Sequence, residues 1–142
     1  MRITFSKALR NSSRSAGSCS AFENVIRNAV RYSPVGAGVS IAARRSDAAG
    51  GAIEVVVRDE GPGVPEKDLA LIFEPFYRVD TAREHRSTGG EGLGLAIAAR
   101  AISVHGGRIF AANAAGSGLV VSVSLPTAAA APGEPPSAAA AA

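Results

Sequence analysis

Tryptophan is absent from this 142-residue chain, aromatic residues make up only 5% of it, and cysteine occurs once, at Cys19. A core must therefore be built from aliphatic side chains, and the 46% apolar content is enough for one domain. A single thiol excludes an internal disulfide but says little about compartment, and a cytosolic, reduced setting is taken as the default. No apolar run is long enough to cross a bilayer; stretches such as Ile53 to Val57 are strand-length. Acid is missing from residues 1–20, which hold Arg2, Lys7, Arg10 and Arg14. Removing those four from the 15 basic residues leaves 11 against 12 acids in the rest of the chain. The net charge of +3 is thus a property of one terminus. It excludes the basic folded face that a nucleic-acid binder presents.

Residues 1–20 are rich in Ser and Arg and lack periodicity, so they read as a poorly ordered basic segment. Their composition also suits a transit peptide or the remnant of a truncated gene product. Ala, Pro and Gly dominate residues 126–142, which read as a disordered tail. Residues 21–125 between them form the expected domain. Ala21 to Tyr32 reads as a helix, with Phe22, Val25, Ile26, Ala29 and Val30 on one stripe, stopped by Pro34 and Gly36. Val39 to Arg44 and Ala52 to Asp59 are strand-like. Pro65 starts a short helical stretch through Phe73. Gly92 to His105 is expected to be a second long helix, with Leu93, Ile97 and Val104 inward and Gly106-Gly107 as its stop. Arg108 to Ala112 and Leu119 to Leu125 give a closing hairpin around Gly116-Ser117-Gly118. The order predicts an α/β fold, a two-layer α/β sandwich.

Three polar blocks punctuate that order. On the first helix Asn24, Asn28 and Arg31 recur at i, i+4, i+7, opposite the apolar stripe. Asn is a poor helix former, so the stripe calls for an explanation, and it reads either as an ordinary solvated helix face or as a ligand-binding face. Amide oxygens suit a hard cation that keeps waters and phosphate oxygens, as magnesium does. Arg31 can then neutralise phosphate charge. Asp59-Glu60-Gly61-Pro62-Gly63 follows an apolar strand. It reads either as a plain turn or as a carboxylate placed to accept the exocyclic amino group of adenine, with Gly61 and Gly63 admitting the ring. Thr88-Gly89-Gly90-Glu91-Gly92-Leu93-Gly94-Leu95 opens the second helix. It reads either as a flexible loop or as a phosphate cradle, since free amides at a helix N-terminus favour phosphate. No Lys-Ser/Thr follows, so this is not a Walker loop, and the glycine spacing does not fit a dinucleotide fingerprint.

Phe73 and Phe76 flank Pro75 ahead of a charged stretch from Asp80 to Thr88. They either anchor a mobile lid or belong to the core. His85 and His105 have no metal-ligand partner at useful spacing and read as structural.

Together the blocks resemble the ATP-binding catalytic domain of bacterial two-component sensor histidine kinases, in the superfamily shared with DNA gyrase. Phe22 to Ser33 looks like the family's asparagine box and Asp59 to Val64 like its first glycine box. Ile72 to Arg78 resembles the phenylalanine box, Gly90 to Ile97 the second glycine box, and His105-Gly106-Gly107 the usual helix end. The match covers roughly residues 21–125. It implies a Bergerat-type ATP-binding fold, a mixed sheet covered on one face by helices, with ATP and magnesium as cofactors. Asn28 would ligate the metal, with Asn24 nearby on the phosphates and Arg31 and Tyr32 on the phosphate side. Asp59 would bind adenine beside Gly61 and Gly63. Gly90, Gly92, Leu93, Gly94 and Leu95 would hinge the lid.

Two features depart from the family pattern. Glu91 stands where Thr or Ser is common and is expected to point outward. Nothing resembles the dimerisation helices, the phosphoacceptor His motif or the strand that usually leads into the asparagine helix. The resemblance also places a water-activating Glu in superfamily ATPases four residues before the metal Asn. Here that position is Asn24, and Glu23 lies about 100° round the helix. Slow water attack and transfer to a positioned protein nucleophile are expected. The implied function is a histidine kinase catalytic domain acting on a His of a separate dimerisation domain, in cis or in trans, with a response regulator downstream. A cytoplasmic location, no membrane insertion of this chain and no nucleic-acid partner go with it. A stand-alone module of the anti-sigma serine kinase type and an inactive truncated product are the alternatives.

Overall fold

The computed structural model describes residues 16–46, 51–79 and 91–127. Helix α1 spans Ala16–Tyr32, and strands β1 (Ser40–Ser46) and β2 (Ala52–Arg58) follow. Two short 3-10 turns, Glu66–Asp68 and Leu71–Phe73, come next. Helix α2 (Gly94–Val104) and strands β3 (Arg108–Asn113) and β4 (Leu119–Pro126) complete the order. Helix α1 starts five residues before the expected Ala21. Ala16 to Ser20 carry no apolar rhythm, but extending an existing helix adds one hydrogen bond per residue fixed, so small residues join it readily. At the other end β4 runs through Pro126, and the Thr127 amide donates to the Gly51 carbonyl at 3.0 Å.

The sheet order is β1-β2-β4-β3. Among the described residues every pair is antiparallel, which corrects the expected mixed sheet. The chain path gives the reason. The α2 crossover brings β3 in along the direction of β2 but one strand away, and β4 fills the gap antiparallel to both. Helices α1 and α2 pack on each other, α1 against β2 and α2 against β3, so one face of the sheet is covered. The two-layer sandwich stands.

Alternation along the strands sends Val55, Val57, Leu119, Val121 and Val123 into the core. They meet Ala21, Val25 and Ala29 of α1, which sit one helical turn apart, while Val30 is left exposed. From α2 the buried residues are Leu95, Ala98 and Ile102. The expected inward residues Ile97 and Val104 are 48% and 68% exposed. Helix α2 is apolar nearly all round, so its own pattern does not select a face; packing on α1 and the sheet does. The stop at Gly106-Gly107 is as expected. Gly106 has φ 71°, its amide donates to the Ser103 carbonyl and the Gly107 amide to the Ile102 carbonyl, both at 2.9 Å, which closes the helix end.

Candidate nucleotide site

Helix α1 organises the site because both glycine blocks lean on it. A Cβ built on Gly94 would stand 4.0 Å from Asn24 Oδ1, so the start of α2 lies alongside the asparagine stripe. At the far end of α1 a Cβ on Gly61 would come within 2.6 Å of the Tyr32 carbonyl oxygen, a distance only glycine tolerates. Asn24, Asn28, Arg31 and Tyr32 are all half-buried. Among the described residues neither Asn24 nor Asn28 makes a side-chain hydrogen bond. The Arg31 guanidinium sits 5.7 Å from the Tyr32 ring centroid. Its Nε and Nη2 are buried without a hydrogen-bond partner among the described residues. Buried donors normally find a partner, so these are the atoms an anion would satisfy.

Asp59 is 3% exposed at the end of β2. Its Oδ1 accepts the Gly61 amide at 2.8 Å and the Leu119 amide at 3.0 Å. Its own amide donates to the Leu119 carbonyl at 3.0 Å, which extends the β2–β4 ladder by one rung. Among the described residues Oδ2 accepts nothing. The turn that follows is held from a distance. Asn113, at the end of β3, accepts the Val64 amide through Oδ1 at 2.9 Å and donates from Nδ2 to the Val64 carbonyl at 2.7 Å. Gly63, with φ 75°, lies so close that a Cβ there would be 2.7 Å from Asn113 Oδ1.

The phenylalanine block divides. Phe73 packs against the core, whereas Phe76 is 71% exposed with φ 65°, an uncommon backbone state for a bulky residue. The Phe76 amide donates to the Gly92 carbonyl at 3.0 Å. A Cβ on Gly92, at φ 71°, would meet the Tyr77 carbonyl oxygen at 2.8 Å. This block and the second glycine block are therefore locked backbone to backbone. Helix α2 begins just beyond with no side-chain cap, which leaves its first-turn amides free of a side-chain acceptor. Leu93 and Gly94 are half-buried there and Leu95 is buried in the core. Gly90, His85 and the expected lid from Asp80 to Thr88 lie outside the described residues.

Acids are kept off the asparagine stripe. Glu23 is paired with Arg27 at 2.5 Å on the exposed flank of α1, Glu60 accepts the Gly38 amide at 3.1 Å, and Glu91 is exposed as expected. Among the described residues no group of three or more His, Cys, Asp or Glu could hold a metal. A groove lined by Phe22, Ile26 and Val30, with Glu23 and Arg27 at its edge, lies on a different flank of α1 from the asparagine stripe. Sequence reasoning missed Asn113. An Asn at a strand end reads as an ordinary turn former, and no local signal ties it to Val64, 49 positions away.

These blocks sit in an arrangement shared with known proteins. The chain belongs to the family of histidine kinase-, DNA gyrase B- and HSP90-like ATPases, which matches residues 15–129. Among curated relatives, the sensor histidine kinase WalK of Bacillus subtilis is 42% identical over 104 residues, 73% of this chain and 17% of its own length. The mycobacterial sensor histidine kinase MprB superposes with a TM-score of 0.67 at 34% identity, covering 80% of this chain and 74% of that one. Full-length ShkA in complex with AMPPNP gives 0.64 at 33% identity, covering 80% of this chain and 23% of that one. The chain spans 17% and 27% of the length of the first two curated relatives it matches. Among the described residues no helix is long and apolar enough to cross a membrane.

Proposed function

We propose that this chain is the ATP-binding catalytic domain of a sensor histidine kinase, acting in the cytoplasm. It binds magnesium-ATP and hands the γ-phosphoryl to a His on a separate helical domain, from which a response regulator is served. The observation that carries this reading is the Arg31 guanidinium, with two buried nitrogens unbonded on the same helix stripe as two unengaged asparagines. A triphosphate would satisfy those donors, and the uncapped start of α2 beside Asn24 adds backbone amides for it. Asp59 supports the base end, because its Oδ1 is committed to two amides and Oδ2 is left for the exocyclic amino group of adenine.

The donor set fits magnesium. A lone amide oxygen from Asn28, with no acidic cluster among the described residues, suits a cation that takes most of its ligands from water and substrate phosphates. When bound, the metal would neutralise charge on the transferring phosphates. Arg31 would add fixed positive charge, and Asn24 would orient the phosphates against the α2 amides. Catalysis of this kind is alignment and charge stabilisation, which leaves the nucleophile to the partner domain. Glu23 is tied to Arg27 on the outer flank, so no carboxylate on the stripe would activate water. That supports a kinase over a hydrolase.

The test is incubation of the chain with radiolabelled ATP, magnesium and a His-bearing helical hairpin from a sensor kinase. Label is expected on the hairpin alone, lost in acid and retained in base, with none on the isolated chain. Acid-stable label would transfer the reading to the serine kinase alternative, and absence of nucleotide binding would end it.

A further inference from the structure

We propose that Asn113 is a positioning residue for recognition of the nucleotide base, an inference that rests on the reading of Asp59 given above. Its side-chain amide grips both backbone groups of Val64, the amide at 2.9 Å and the carbonyl at 2.7 Å. That bidentate contact ties the Gly61–Val64 turn to the end of β3. The same hairpin holds Asp59 from its other strand. The Leu119 amide donates to Asp59 Oδ1, and Gly118, at φ 102°, lies so close that a Cβ there would be 2.0 Å from the Asp59 carbonyl oxygen. The Gly118 carbonyl in turn accepts the Ala114 amide at 2.9 Å and closes the hairpin. The turn that carries Gly61 and Gly63 and the carboxylate that precedes it are thus fixed by one hairpin, through Asn113 on β3 and Leu119 on β4.

The exposure of Asn113 tells positioning from mere support. Asn113 lies on the surface, so water would satisfy Val64 if the side chain were removed. Such a contact adds little to global stability, because each hydrogen bond made to the protein replaces one made to solvent. What it does is restrict the turn to one conformation. Gly61 and Gly63 have no side chain of their own to fix the backbone beside Asp59, and a turn left free to move would let the base wall drift. Asn113 removes that freedom from outside, with no atom of its own needed on the ligand.

The experiment titrates the chain with ATP and with inosine triphosphate, whose base has a carbonyl in place of the exocyclic amino group, and follows thermal melting alongside. Asn113→Ala is expected to weaken ATP about tenfold while leaving inosine triphosphate within about twofold, so that the preference for adenine collapses. The melting temperature should stay within a few degrees of the parent. Asn113→Asp keeps an acceptor for the Val64 amide but loses the donor to its carbonyl, and should fall between the two. An unchanged ATP to inosine triphosphate ratio in Asn113→Ala overturns the inference, as does an equal loss for both nucleotides with a lowered melt. Failure of the unaltered chain to bind ATP at all is a different result and overturns the functional reading instead.

Discussion

Asp59→Asn is expected to leave the chain folded while lowering ATP affinity about 10- to 100-fold and shifting the preference toward inosine triphosphate. The buried side chain has two jobs on its two oxygens. Oδ1 accepts the Gly61 and Leu119 amides, and an asparagine oxygen placed there can accept both, so the turn and the last rung toward β4 persist. The amide nitrogen then occupies the position of Oδ2. It is a donor, so it opposes the amino group of adenine but can donate to the carbonyl of hypoxanthine. Asp59→Ala separates the jobs from the other side. It strands two backbone donors at a site only 3% exposed, a loss of about 2–4 kcal/mol and roughly 10 °C or more in melting temperature for a domain of this size. Paired titrations and melts of the two variants check this. Asp59→Asn that binds ATP as tightly as the parent would remove Asp59 from the base pocket.

The periodicities that survive in the structure are those enforced by one nearby surface. Val25 and Ala29 could be read as core because the opposite stripe of α1 is polar, and Gly106 could be read as a stop because a left-handed residue closes the helix there. The inward face of α2 was not legible, since Leu95, Ala98 and Ile102 differ little in polarity from Ile97 and Val104. Strand order was hidden for a related reason. Hairpin β3–β4 is local, but its insertion beside β2 pairs Val57 with Val121, far apart in the chain. The proposed site follows the same division. Asn24, Asn28, Asp59 and Gly92 stand out by residue type and spacing, whereas the contacts that hold Asp59 and the turn after it are long-range. Asn113 to Val64 and Asp59 to Leu119 span 49 and 60 positions, and neither residue type is unusual where it stands.

Asn28→Ala should remove the magnesium dependence of nucleotide binding. In the unaltered chain, ATP affinity is expected to rise when magnesium is added and to fall when it is chelated. In the variant the two conditions should coincide, with a loss of at least about 100-fold in the presence of the metal, because even outer-shell partners of bound metals are worth 10- to 100-fold. The fold should tolerate the change. Asn28 makes no side-chain hydrogen bond among the described residues, and Ala is the better helix former. Arg31→Met gives the matching control on the same stripe. It also weakens ATP, yet magnesium should still strengthen what binding remains, since the amide oxygen of Asn28 is intact. Removing two buried, unbonded nitrogens should leave the melting temperature equal to or above that of the parent. A stripe kept only for packing would show the reverse, with both variants melting lower and neither altering the response to magnesium. Titration with and without chelator, read beside the two melts, separates the cases.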